Sequence, residues 1–170
     1  MFSAPFHSSA LADTLTVAQA NVSVSRKGAF RGIHYADVAP SQAKYVTAVS
    51  GSFIDFIVDI RVGSPTFGLW DSVMLDTKDR KAVYLPEGMG HALFALEDDS
   101  TALFLCSTPF VPGRERTLHP LDAEIGLEIP AGIVPIISGN DAVAPSLSEA
   151  QEQGLLPTYA ACVEFYESLA

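Results

Sequence analysis

The chain has 170 residues, 48% of them hydrophobic, and a mean hydropathy of +0.25; that length and composition suit one domain with a real core and exclude a disordered chain. Lys and Arg number 10 against 20 Asp and Glu, a net charge of -10. This argues against a nucleic-acid partner or an anionic membrane surface, both of which need a basic face, and leaves a small molecule, including an anionic one met by a few focused cations.

The opening run, Met1-Phe2-Ser3-Ala4-Pro5-Phe6, has neither a basic n-region nor a long apolar h-region, so no signal peptide is expected. No window approaches ~18 uninterrupted apolar residues, so no membrane span is expected, and the expected location is the cytoplasm. Residues 43–50, rich in Val, Tyr and Thr, predict a strand that ends at a Gly51-Ser52 turn. Residues 53–61 then alternate, with Ile54, Phe56, Val58 and Ile60 on one face and Phe53, Asp55, Ile57 and Asp59 on the other, the period of a strand. Two carboxylates on the second face mean that it is not a simple core. After Gly63-Ser64-Pro65, further strands are predicted at 69–75, 82–85, 91–96 and 101–107. They are separated by Asp76-Thr77-Lys78-Asp79, Pro86-Glu87-Gly88 and Glu97-Asp98-Asp99-Ser100, all turn chemistry. Short strands every ~8–12 residues predict an all-β sandwich or barrel. Near the C-terminus, Ser146 and Glu149 form a capping box that opens a short helix ending at Gly154,. Residues 157–169 predict a second helix with Ala161, Phe165 and Leu169 on one face,.

Two cysteines, Cys106 and Cys162, fit no zinc or redox spacing,. Both read as structural thiols of a reducing compartment, Cys106 inside the apolar run 102–106,. The histidines, His7, His34, His91 and His119, are isolated from one another. The tight H-x-H pair of a metal-binding β-barrel is missing, so no metal is expected. Dinucleotide, P-loop and hydrolase-elbow motifs are also missing. What remains is Arg31-Gly32-Ile33-His34-Tyr35, Lys44, and Gly88-Met89-Gly90-His91. On a regular strand Arg31, Ile33 and Tyr35 share one face and Gly32 and His34 the other. On composition alone the commoner reading of His34 is a satisfied core histidine.

Longer stretches carry a resemblance. They are residues 18–25, Arg31-Gly32-Ile33-His34-Tyr35, residues 42–46, Val58-Asp59-Ile60-Arg61 with residues 63–68, Pro86-Glu87-Gly88 with His91, and Leu105-Cys106-Ser107-Thr108. Asp141-Ala142-Val143-Ala144-Pro145 and Gly154-Leu155-Leu156-Pro157 continue it. From about Gln19 to the C-terminus the chain resembles the dTDP-4-dehydrorhamnose 3,5-epimerase family. The resemblance implies a double-stranded β-helix (cupin-like jelly roll) with short C-terminal helices, in one domain with a core over about 19–130 and a helical segment over about 145–169. It further implies a homodimer that works without metal or other cofactor on a nucleotide-linked 4-keto-6-deoxyhexose. By motif match His34 is the base that removes a proton alpha to the ketone, Asp141 is its partner, and Lys44 stabilises the enolate. Arg31 matches a position near the diphosphate. Asn21, Ser23, His91 and Glu115 match other pocket positions; Asp55 and Asp59 divide evenly between pocket and structural roles.

The chain departs from the family pattern. Phe104 stands where the family has a tyrosine acid, and losing a general acid costs ~10²–10⁴-fold in rate. Phe110 stands where the aromatic is usually tyrosine; it keeps a stacking face without a hydroxyl. The family's N-terminal Arg-Gly-x-Phe-x-Glu strand is missing, with Phe2 or Phe6 as the available substitutes for its aromatic. The expected function is therefore an epimerase of altered outcome. The alternatives are a repurposed cyclase or isomerase acting on a non-nucleotide intermediate in a more apolar pocket, and a non-catalytic binding cupin.

Overall fold

The computed structural model describes residues 16–39 and 41–169. Phe2, Phe6 and His7, considered above, lie outside the described residues, as does the side chain of Leu169. Among the described residues ten strands and three short helices follow one another. The strands are β1 (Gln19–Ser25), β2 (Ala29–Ala36), β3 (Lys44–Ser50), β4 (Ser52–Asp59), β5 (Trp70–Asp76), β6 (Ala82–Leu85), β7 (Met89–Ala95), β8 (Ser100–Cys106), β9 (Glu115–Thr117) and β10 (Ile136–Ile137). The helices are α1 (Gly139–Ala142), α2 (Leu147–Glu152) and α3 (Tyr159–Leu169). The strands predicted at 43–50, 53–61, 69–75, 82–85, 91–96 and 101–107 are β3 to β8, with ends that move by at most two residues.

Strands β1-β8-β3-β6 form one sheet and β10-β2-β7-β4-β5 the other, with β9 on the free edge of β2. Except at β4–β5 and β9–β10, consecutive strands alternate between the two sheets, whose pairings are antiparallel save for β10 with β2, consistent with a jelly-roll arrangement,. Among the described residues no helix is long and apolar enough to cross a membrane.

The second sheet is buried on both faces. Between the sheets lie Phe53 on β4, Leu93 and Ala95 on β7, Val46 and Ala48 on β3, Leu85 and Ala102. On the outer face lie Phe30, Ile33, Tyr35, Phe56, Val58, Ala92 and Phe94, covered by Leu118, Ile125, Leu147, Ala150 and Leu156 from the tail. Phe30 and Phe94 meet edge to face, with centroids 5.3 Å apart at 81°, a favoured aromatic geometry. The alternation read in β4 separates these two cores, and its mixed face is the inner one.

The tail is held by specific devices. The capping box forms as its sequence predicts, with Glu149 N–H donating to Ser146 Oγ and Ser146 N–H to Glu149 Oε2. α3 buries Cys162 rather than a face centred on Phe165, because Cys162 packs against the turn at Gly88. Tyr166 Oη donates to the buried Glu87 carboxylate at 2.6 Å, docking α3 on the β6–β7 turn. Asp59 accepts two bonds from the Arg61 guanidinium and one each from the Ser64 and Thr66 hydroxyls. Burial pushes its carboxyl up, yet those donors win and hold it well below the carboxylate range,. It anchors the loop after β4.

One local expectation is corrected. Arg31 pairs with Leu93 and His34 with His91, and the register shifts between them. Leu93 and His91 are two apart on one face of β7, and antiparallel partners share a face. Arg31 therefore lies on the inner side with His34, while Ile33 and Tyr35 enter the outer core. Gly32 permits this. Its φ is +126°, and a Cβ there would stand 2.8 Å from Ala92 Cα, a backbone approach open only to glycine.

Candidate active site

A cavity of about 460 Å³ opens between the sheets, lined by Gln19, Asn21, His34, Gln42, Lys44, His91, Leu93, Phe104, Cys106, Phe110 and Glu115. The register of the strands explains this assembly. Lys44 on β3 sits opposite Cys106 on β8, and Asn21 on β1 opposite Phe104. His34 and His91 are opposite each other on β2 and β7. One sheet thus offers a cation, an amide, a thiol and an aromatic ring, and the other two imidazoles.

His34 Nε2 lies 2.9 Å from Asp141 Oδ1, with side-chain exposures of 39% and 5%. A carboxylate only accepts, so Nε2 carries the proton and Nδ1 keeps the lone pair. Asp141 comes from the far end of the chain, in the first turn of α1, where Ser138 accepts its backbone N–H at 3.1 Å. Thr117 Oγ1 donates to the same Oδ1 at 3.1 Å, and Thr117 is also the β9 partner of His34. Burial pushes the Asp141 carboxyl up, but the hydrogen bonds with His34, Ser138 and Thr117 hold it below the carboxylate range,. It is an anion that orients the ring.

Lys44 forms no hydrogen bond or ion pair among the described residues. Burial lowers its pKa, against the opposing pull of Glu115, Cys106 and Asp55. A buried ammonium without a partner is well placed to meet negative charge that develops on a ligand. His91 Nδ1 lies 3.2 Å from Asp55 Oδ1, and the ring edge of Phe104 flanks it at a centroid distance of 6.1 Å. Phe110 is 55% exposed at the cavity rim, its N–H donating to Gln19 Oε1 at 2.7 Å. Glu115 is reached by Gln42 Nε2 at 3.4 Å.

Of the residues singled out from sequence, His34, Lys44, Asn21, His91, Phe104, Phe110 and Glu115 line the cavity, and Asp141 stands behind His34. Arg31 and Ser23 do not line it. Arg31 Nε donates to Ser25 Oγ at 3.1 Å and its Nη2 to the Val24 carbonyl at 3.3 Å. Ser23 follows Gln19 and Asn21 on the same face of β1, one step beyond the wall. Asp55 supports the cavity through His91, whereas Asp59 is structural. Sequence reasoning missed Gln19, Gln42, Leu93 and Cys106 as wall residues. Leu93 was legible as the residue two after His91, and Gln19 as the one two before Asn21. Cys106 is a free, buried thiol as read, but it also faces the cavity, where its sulfur accepts from Asn21 Nδ2 at 3.9 Å.

Known proteins share this architecture. A family model described as dTDP-4-dehydrorhamnose 3,5-epimerase matches residues 1–149. A dTDP-4-dehydrorhamnose 3,5-epimerase of Mycolicibacterium smegmatis is 58% identical over 89% of this chain and 74% of its own length. A dTDP-4-dehydro-6-deoxyglucose 3-epimerase of Streptomyces is 49% identical over 91% of this chain and 79% of its own length. The solved structure of a 3'-monoepimerase from Streptomyces bikiniensis in complex with dTDP-quinovose superposes with a TM-score of 0.88 at 47% identity, covering 90% of this chain and 77% of that one.

Proposed function

Because the chain belongs to the dTDP-4-dehydrorhamnose 3,5-epimerase family and is an isomerase of the epimerase type, we propose that it acts on a dTDP-linked 4-keto-6-deoxyhexose through His34, Asp141 and Lys44. The observation that carries this reading is the His34–Asp141 pair at 2.9 Å in the wall of the cavity that also holds the unpartnered Lys44. His34 Nδ1 takes the proton from a carbon beside the ketone. The C–H electron pair moves into the carbon–carbon bond as the carbonyl oxygen becomes an enolate oxygen, and Lys44 offsets that charge. The carbonyl reforms when a proton returns to the same carbon from the other face, inverting it.

Phe104 has no proton to return, so water delivers it, and the outcome is inversion at one carbon. The similar proteins include both 3,5-epimerases and 3-epimerases, which supports a reading in which the number of carbons depends on local residues. Epimerisation is favoured over ring closure by the activities of those relatives. Arg31, beside the cavity on the inner face, and Phe110 at its rim are assigned to the diphosphate and the base. A homodimer belongs to the same reading. It is supported by the exposed edge strand β1, where Val22 and Val24 are 67% and 58% exposed,. Two buried free thiols support a cytoplasmic location,.

The test is incubation with dTDP-4-keto-6-deoxyglucose in deuterated water, followed by proton NMR at carbons 3 and 5. Exchange at one carbon that disappears in His34→Asn is expected. A folded protein that exchanges neither carbon refutes the reading.

A further inference from the structure

Glu115 stands between two cations. It lines the cavity that holds Lys44, and it also lines a smaller hollow of about 220 Å³ whose wall includes Arg114. Gln42 accompanies it in both walls. Lys44 and Glu115 carry opposite charge in one cavity, and Glu115 is the charge that acts most strongly on the lysine. Yet among the described residues the two form no ion pair. Opposite charges at such range close on each other when nothing restrains them, so a restraint is needed.

The Gln42 side chain is in place to supply it. Gln42 is 9% exposed, and its Nε2 donates to the Thr108 carbonyl at 2.9 Å and to Glu115 Oε1 at 3.4 Å. No other described donor reaches the Glu115 carboxylate. The backbone on either side of Gln42 is tied to the same loop. Ala43 N–H donates to Ser107 Oγ at 2.8 Å, Ser107 N–H to the Ala43 carbonyl at 3.0 Å, and Thr108 Oγ1 to the Ser41 carbonyl at 3.1 Å. Gln42 is therefore fixed, and a carboxylate bonded to its amide stays where the amide is. Glu115, by contrast, is a long side chain at the first position of the three-residue strand β9, with rotamer freedom to lose.

We propose that Gln42 is a positioning residue: its amide holds the Glu115 carboxylate in the partition between the two hollows, close enough to offset the burial of the Lys44 ammonium and too far to pair with it. Lys44 then stays charged and free for the negative charge that forms on the ligand. This rests on the epimerase reading for that charge and goes beyond it in naming what keeps the cation available. Gln42 acts through Glu115 and Lys44, and a carboxylate released from it closes on the lysine and competes with the enolate oxygen.

The experiment is a double-variant cycle of Gln42→Leu and Glu115→Gln. It is read by single-turnover exchange of dTDP-4-keto-6-deoxyglucose in deuterated water, by dTDP binding, and by nitrogen-15 NMR titration of the Lys44 ammonium, assigned with Lys44→Met. Gln42→Leu lowers exchange ~10²-fold while dTDP affinity changes at most a few-fold. It also raises the pH at which Lys44 titrates, because a paired ammonium holds its proton more tightly. In the Glu115→Gln background the same substitution costs only a few-fold and leaves the Lys44 titration in place, since no carboxylate remains to close on it. Equal losses in both backgrounds overturn the inference, as does a Lys44 titration that Gln42→Leu leaves unmoved. A measurement on the wild type decides without any variant that has to fold: the Gln42 side-chain amide resonances follow the titration of the Glu115 carboxylate, and resonances that ignore it overturn the inference. A wild type that binds the sugar nucleotide without exchange at carbon 3 or 5 refutes the epimerase reading alone, and the Lys44 titrations still decide the role of Gln42.

Discussion

His34 and His91 stand opposite each other on one rung of the β2–β7 ladder, yet each gives a different ring nitrogen to its carboxylate. His34 uses Nε2 and is 39% exposed; His91 uses Nδ1 and is 6% exposed. The accessible ring suits a group that gains and loses a proton during turnover. The buried ring suits one whose protonation stays fixed. Two identical side chains thus take different chemistry from their surroundings.

Asp141→Asn tests the orienting role. An amide that donates to Nε2 forces the proton onto Nδ1 and removes the basic lone pair. Solvent exchange into the substrate should fall ~10³–10⁴-fold, while dTDP binding changes little. Single-turnover exchange beside equilibrium binding separates the two effects.

Lys44→Met should separate activity from stability. Removing a buried, unpartnered ammonium removes a desolvation penalty, so the melting temperature should rise or hold, while exchange drops at least ~10²-fold. A variant with lower thermal stability and intact exchange would contradict this role.

Acid should destabilise the protein in two windows. The folded pKa of His91 lies below its ordinary value, so the unfolded chain takes that proton first. Stability therefore falls as pH drops below about 6.5 and levels off below the folded value. Asp59 and Asp141 are also depressed, so their contribution is complete above about 4 and is lost as pH falls through their folded values. Urea unfolding across pH 3 to 8 should show both slopes, and His91→Gln should flatten only the upper one.

Phe104→Tyr places a phenol beside His91 in the cavity wall. If proton return limits the outcome, exchange at a second carbon should appear or rise ~10²-fold or more, read in the same NMR experiment. An unchanged exchange pattern would remove Phe104 from the account of product outcome.

The strand pattern was legible because both faces of β4 carry a period-two signal, and the capping box at Ser146 because a cap is a local interaction. β9 and β10 were not. Glu115–Thr117 and Ile136–Ile137 are too short to show a period and exist only because β2 offers them an edge. The face shared by Arg31 and His34 was misread for a related reason: a register shift at a glycine is a backbone event that side-chain alternation does not encode. The candidate site was legible through resemblance at His34 and Lys44, which line the cavity, and at Asp141, which stands behind His34. Its supporting bonds from Thr117, Ser138 and Asp55 depend on contacts across 24, 3 and 36 residues, and most of that support is invisible to a local reading.

The tail that covers the outer face of the second sheet also delivers Asp141 to His34. In the proposed mechanism, orientation of the base and hydrophobic cover thus reside in one stretch of chain, between Leu118 and Leu156. A molecule whose tail has peeled away loses its core contacts and its oriented base together, so it is silent and not merely sluggish. Turnover then counts intact molecules, and any agent that loosens the tail lowers the number of working enzymes before it alters the rate of each.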